Sequence, residues 1–317
     1  MRAFPVIVAF LALAAYGLAS AGLSRAGVLL FPVPVALCWA RGHGGRSMVL
    51  LGCAALVGLM APGSWLAALA HMLVALSGVV LGEAFRRRWA FGRCVAVLTA
   101  AVFALAALDV ALNWEETRHT ATIFINARIA DLEAQAEAAG GEANEAAVAL
   151  LKWFDVHWPY LNLGGVFGGV WLSATVLVAL LGGYLRRTGG PAPNGSFAEM
   201  RPPDWLVWAV IAAASLWFVD SKWPNDAVRM VSWNSAVALA FVYGLNGLSI
   251  LVYTLFVFKV NPMLGFAAIL LLFWLGVHPL LCVVGLFDTW WELRGRAAAV
   301  VAARAGGGEA NDEDGQN

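Results

Sequence analysis

The run Leu270-Leu-Leu-Phe-Trp-Leu-Gly-Val-His-Pro-Leu-Leu-Cys-Val-Val-Gly-Leu-Phe287, continued by Asp288-Thr-Trp-Trp-Glu-Leu-Arg-Gly-Arg296, decides the fold class. A long apolar stretch ends in an acid, a tryptophan pair and then arginines. That is the order in which a helix leaves a bilayer: apolar side chains in hydrocarbon, indoles at the headgroups, cations in water. The pattern recurs upstream. The chain therefore reads as an all-α, polytopic bundle of transmembrane helices.

Composition leads to the same place. Of 317 residues, 61% are hydrophobic and 13% charged, and the mean hydropathy is +0.76. A soluble domain carries about a quarter charged residues. Half that charge cannot cover a water-soluble globule, so lipid must solvate much of the surface. The net charge is zero, which leaves no basic face for nucleic acid. Cys38, Cys53, Cys94 and Cys282 lie in or beside apolar runs without a Cys-x-x-Cys pair. They read as inert thiols, and no metal site is expected.

A spanning helix needs about 20 mostly apolar residues. Phe4 to Gly22 fits. Arg2 and the small residues Ala19-Ser20-Ala21 also resemble a signal peptide, but the run reads as a retained first helix. Gly27 to Ala40 and Ser47 to Met60 are about 14 residues each, roughly 21 Å of a 30 Å core. The first holds Pro32 and Pro34, which interrupt helical hydrogen bonding. They are either short tilted spans or a re-entrant hairpin. Ser64 to Gly82 and Phe91 to Leu112 are clear spans, and between them stand Arg86, Arg87, Arg88 and Arg93. Cationic short loops stay in the cytoplasm, so the Arg86–Arg93 loop and the N-terminus are expected inside.

Residues 1–112 thus form an N-terminal membrane bundle of four or five hydrophobic segments. Residues 113–157 are polar and acidic. Ile125, Ile129, Leu132 and Ala136 recur at helical spacing, Gly140-Gly141 breaks the run, and Glu142 to Phe154 reads as a second helix. An extracytoplasmic helical hairpin is expected there, as a solvated cap or a lid over a pocket. Residues 158–303 form a C-terminal membrane bundle. Its spans are Trp158 to Tyr184, Trp205 to Val219, Val231 to Phe258 and Met263 to Phe287. Residues 304–317 are acidic and poor in apolar side chains, a disordered tail. Nine spans put Arg294, Arg296 and Arg304 outside, against the charge rule, whereas eight put them inside. The count stays at eight or nine.

Gly164, Gly165, Gly168 and Gly169 make two overlapping Gly-x-x-x-Gly pairs, which let another helix approach closely. The pairs read as internal packing, with dimerisation as the alternative. Ionisable groups within spans are costly and count as functional candidates. Here they are His71, Asp109 and His278. No phosphate loop, His-Glu-x-x-His helix or Gly-x-Ser-x-Gly elbow occurs. The chain is expected to be no enzyme and to carry no cofactor. Most of its 15 tryptophans stand at predicted boundaries, where interfacial anchoring explains them.

Three features of the second half resemble the YybS-like family of bacterial membrane proteins. One is Phe197 to Trp205, with Pro202 and Asp204. The second is Asn234 together with Val242-Tyr-Gly-Leu-Asn-Gly-Leu-Ser249, where Asn246 stands in place of the family's usual Gln before Gly247. The third is Gly285-Leu-Phe-Asp-Thr-Trp-Trp-Glu-Leu-Arg294, with Gly285, Asp288 and Arg294. That family is similar in fold to the substrate-binding S components of energy-coupling-factor transporters and to the rod-shape protein MreD. The resemblance implies a bacterial cytoplasmic (inner) membrane protein. It implies either a small-molecule-binding subunit served by separate energising proteins, or a scaffold acting through membrane partners. Asn234 and Asn246 then join His71, Asp109 and His278 as candidate substrate-binding residues. Ala15 and Ala19 could supply the Ala-x-x-x-Ala face with which S components dock their coupling subunit.

Overall fold

The computed structural model describes residues 32–60, 65–138 and 145–313. Ala15, Ala19 and the expected first span lie outside the described residues, and so do the Gly140-Gly141 break and the side chain of His71. Eleven α-helices follow one another, and no strand occurs among the described residues. They are α1 (Pro32–Ala40), α2 (Gly44–Met60), α3 (Trp65–Arg86), α4 (Phe91–Leu112), α5 (Trp114–Ala138), α6 (Glu145–Arg187), α7 (Leu206–Lys222), α8 (Asp226–Val257), α9 (Pro262–Trp274), α10 (Pro279–Trp291) and α11 (Leu293–Glu313). A single 3-10 turn, Phe197–Glu199, lies in the connector between α6 and α7.

By length and apolar composition, Phe91–Leu112, Ala147–Arg187 and Asp226–Val257 can each cross a bilayer. The last apolar run differs from a straight span. It is two helices, α9 and α10, bent by 112° at the break. Gly276 and Pro279 are the cause: Gly276 has φ +70°, and Pro279, with no N–H to donate back, stands in the first turn of the new helix. The described residues thus contain three or four candidate spans. A second difference concerns the acidic insertion. Its second half is continuous with the span that follows, as one helix of 43 residues with Pro159 inside it.

The chain divides into two compact units. The first takes Met1–Ala100, Trp171–Val207 and Leu239–Asn317. In it α1 lies against α3, where Gly78 and Gly82 leave no side chain in the way. An added Cβ on Gly82 would stand 2.8 Å from the Ala36 carbonyl. Pro32 and Pro34 fall in the first turn of α1, where a missing N–H costs nothing. Val35, Leu50, Leu51, Ala54 and Ala75 form the core between α1, α2 and α3. The connector 188–205 ties the short loops of this unit together. Arg41 donates to Thr188 Oγ1 (2.9 Å), and Arg186 to the Gly195 carbonyl (2.7 Å). Asn194 pairs with the strand-like residues at Trp89–Phe91 through two backbone bonds of 2.9 Å.

The second unit takes Ala101–Val170 and Trp208–Ala238. Phe103 meets Phe167 edge-on at 5.3 Å. Ile125 and Ile129, the apolar stripe of α5, are buried, and Lys152 of α6 reaches Glu133 of α5 at 3.3 Å. Ser232 of α8 donates to the Ala213 carbonyl of α7 (3.3 Å). Gly164 lies so close to α8 that a Cβ there would sit 2.5 Å from the Asn234 carbonyl.

Candidate functional site

Two clusters of polar side chains stand out among the described residues. The first, in the first unit, is built where α8 crosses α10. Gly247 faces the Leu281 carbonyl and Gly285 the Tyr243 carbonyl, both at distances no Cβ could occupy. With the backbones in contact, the polar residues flanking the two glycines meet. Asn246 donates to the Gly285 carbonyl (2.8 Å). Asp288 accepts from Arg294 Nη1 (2.6 Å) and from the Leu293 N–H (2.9 Å). Arg294 also donates to the carbonyls of Ala198 (3.1 Å) and Met200 (2.8 Å), to Asn246 Oδ1 (3.1 Å) and to Ser249 Oγ.

The Asp288 and Arg294 side chains are 3% and 14% exposed. Burial pushes the guanidinium's pKa down and the Asp288 charge pulls it back; an arginine remains charged regardless. Every nitrogen of Arg294 is engaged, and so are both polar atoms of Asn246. The cluster is a closed lock. Pro202 and Asp204 sit beside it on the connector, Asp204 exposed and 3.6 Å from Arg201.

The second cluster is open. On α6, Trp153 stacks on His157 (4.2 Å), and Trp233 of α8 closes on both rings at 6.0 Å. One turn further on, Arg229 lies over the Tyr160 ring (5.6 Å). It donates from Nε to Asp220 (3.0 Å) and stands 3.5 Å from Asp226. Tyr160 reaches Asp226 at 3.3 Å. Trp158 Nε1 and Asn162 Nδ2, four residues apart on the face of α6 turned away from His157 and Tyr160, are buried donors without an acceptor. Asn162 is only 2% exposed. A buried donor left unpaired costs about 1–3 kcal/mol, so an acceptor that completes the pair is stabilising. Aromatic faces and one guanidinium suit a planar small molecule with an acceptor group.

The five candidate binding residues do not share one place. Asn234 is a brace: its Oδ1 accepts from the Gly164 N–H (2.6 Å) and its Nδ2 donates to the Met230 carbonyl (2.8 Å). Asn246 belongs to the lock. Asp109 is exposed and bonds Asn113 (2.9 Å). His278 is exposed at the start of α10, stacked on Phe273 at 5.5 Å. His71 lies on α3.

The glycine pairs separate as well. Gly164 and Gly168 are buried, whereas Gly165 and Gly169 are exposed, with nothing within 4 Å of an added Cβ. Arg229, Tyr160 and Trp233 escaped the reading of the sequence because each taken alone is an ordinary boundary residue. The signal available was Asp226 three residues before Arg229, a helical ion-pair spacing. Among the described residues no three metal-ligating side chains gather.

No curated protein and no solved structure matches the chain. A family model described as "Predicted membrane protein (DUF2232)" matches residues 6–289, nearly the whole length. The chain, with its apolar helices and its span-length runs, therefore belongs to the DUF2232 family of predicted membrane proteins.

Proposed function

We propose that this membrane protein is a non-enzymatic, transport-type subunit that binds a small molecule, similar in role to the S components. It sits in the bacterial inner membrane with the N-terminus and the Arg86–Arg93 loop cytoplasmic, and separate proteins supply the energy. The observation that carries the reading is the open cluster of Trp153, His157, Trp233, Tyr160 and Arg229. On this orientation the cluster faces outward, where a solute is captured.

Native mass spectrometry of the gently solubilised protein from its own cells tests the proposal. A retained small molecule is expected, lost in Arg229→Gln and Trp233→Ala. A stoichiometric protein partner with no small molecule sinks the proposal in favour of a membrane scaffold in the manner of MreD. The exposed Gly165 and Gly169 favour that second reading, since they offer a helix partner a close approach.

A further inference from the structure

We infer that α9 and α10 form a re-entrant hairpin, so that α11 emerges on the same side of the membrane as the connector 188–205. The first ground is length. Each helix has 13 residues, about 20 Å at 1.5 Å per residue. Two such legs turned by 112° place their far ends about 22 Å apart. The intervening turn folds back onto α9, with Leu275, Gly276 and Val277 donating to the Leu271, Phe273 and Leu272 carbonyls, and so adds about 6 Å, the helical rise of four residues. The hydrocarbon core is about 30 Å thick. At about 28 Å the pair falls just short of that thickness, and tilt only shortens its reach.

The second ground is where the two ends of the pair lie. The Met200 carbonyl of the connector accepts from Ser249 of α8 (3.2 Å). From Ser249 the helix runs about 12 Å to its end at Val257, but about 35 Å back to its start at Asp226. The start is more than one hydrocarbon thickness away, so the end of α8, and with it the entry to α9, is on the connector's side. The exit is held there too, because Arg294 bonds the Ala198 and Met200 carbonyls of the same connector. Entry and exit share one side.

The composition of α9 fits this path. Met263, Phe266 and Trp274 are largely exposed, Trp274 to 82%, and an apolar helix uncovered on nearly all faces needs lipid around it. The charge pattern fits as well. A straight final span sends Arg294 and Arg296 to the face opposite Arg186 and Arg187, whereas the hairpin returns them to the same face, as the charge rule requires. The Asp288–Arg294 lock is then the clasp that holds the returning leg to the connector.

Single cysteines at Arg187, Lys259 and Ala302, all exposed, test this in a chain whose four native cysteines are replaced. Each is labelled with a membrane-impermeant maleimide in right-side-out and inverted vesicles. All three are expected to react from one and the same side. Reaction of Ala302→Cys from the side opposite to Arg187→Cys overturns the inference. Reporter fusions on the native chain give an independent reading should the cysteine-free protein fail to fold. Alkaline phosphatase or green fluorescent protein joined after Arg187 and after Asn317 is expected to report the same side, and opposite sides refute the hairpin.

Discussion

Replacing Asp288 with alanine removes one half of a pair that is almost wholly enclosed. Arg294 Nη1 then loses its acceptor at 2.6 Å, the Leu293 N–H loses its cap at 2.9 Å, and the guanidinium stays buried without a counter-ion. Breaking a buried pair from one side costs about 3–5 kcal/mol. Asp288→Asn keeps an oxygen for the Leu293 N–H and loses only the charge, so it should cost about 2 kcal/mol, the scale of one hydrogen bond to a charged group. At roughly 3 °C per kcal/mol, thermal unfolding in mild detergent should fall by about 10 °C for Asp288→Ala and about 6 °C for Asp288→Asn. The double variant Asp288→Ala/Arg294→Met should fall less than the two single losses added, because no lone charge is left inside. The single variants should also free α11, giving faster proteolysis after Trp291. An unchanged unfolding temperature in Asp288→Ala, or strict additivity in the double variant, would refute the account of the lock as a coupled, desolvated pair.

The glycines divide into two classes. Gly285→Ala drives a Cβ to 2.7 Å from the Gly247 nitrogen, and overpacking of that kind costs about 1–3 kcal/mol. Gly165→Ala and Gly169→Ala meet nothing within 4 Å, and should be neutral or stabilising by up to about 1 kcal/mol through helix propensity. Detergent melting curves of the four-variant set with Gly247→Ala should sort in that order. Asn234→Ala leaves the Gly164 crossing without its brace, at a cost of about 1 kcal/mol, read as a lowered melting temperature with no change of topology. Trp39→Phe removes the 3.1 Å bond to Glu83 together with part of the ring, and a loss no larger than about 1.5 kcal/mol is expected from the bond itself.

Much of the membrane character was legible in residues taken a few at a time. Apolar runs of bilayer length, with tryptophans and arginines at their ends, follow from the cost of putting peptide groups and charges in hydrocarbon. That cost is local and additive, so sequence reports it. Asn246, Gly247, Gly285, Asp288 and Arg294 stood out only as an ordered pattern carried by a family resemblance, not as a lock. Their meeting was not legible. Whether Asn246 binds a ligand or an arginine depends on a crossing between helices about 40 residues apart in sequence, and residue type alone is silent about the partner.

The sequence by itself determined the class of the protein: helical, membrane-embedded, belonging to one family, with its charges gathered at the ends of apolar runs. Tertiary structure decided what those runs do. Met263 to Phe287 reads as one span because periodicity and hydropathy cannot register direction, yet Gly276 and Pro279 turn it through 112°. The open aromatic cluster likewise exists only once α6 and α8 are side by side. Solvation is a property of each residue and its immediate neighbours, whereas a path through the bilayer or a ring of side chains is a property of distances. Those distances are set by which backbones are able to touch.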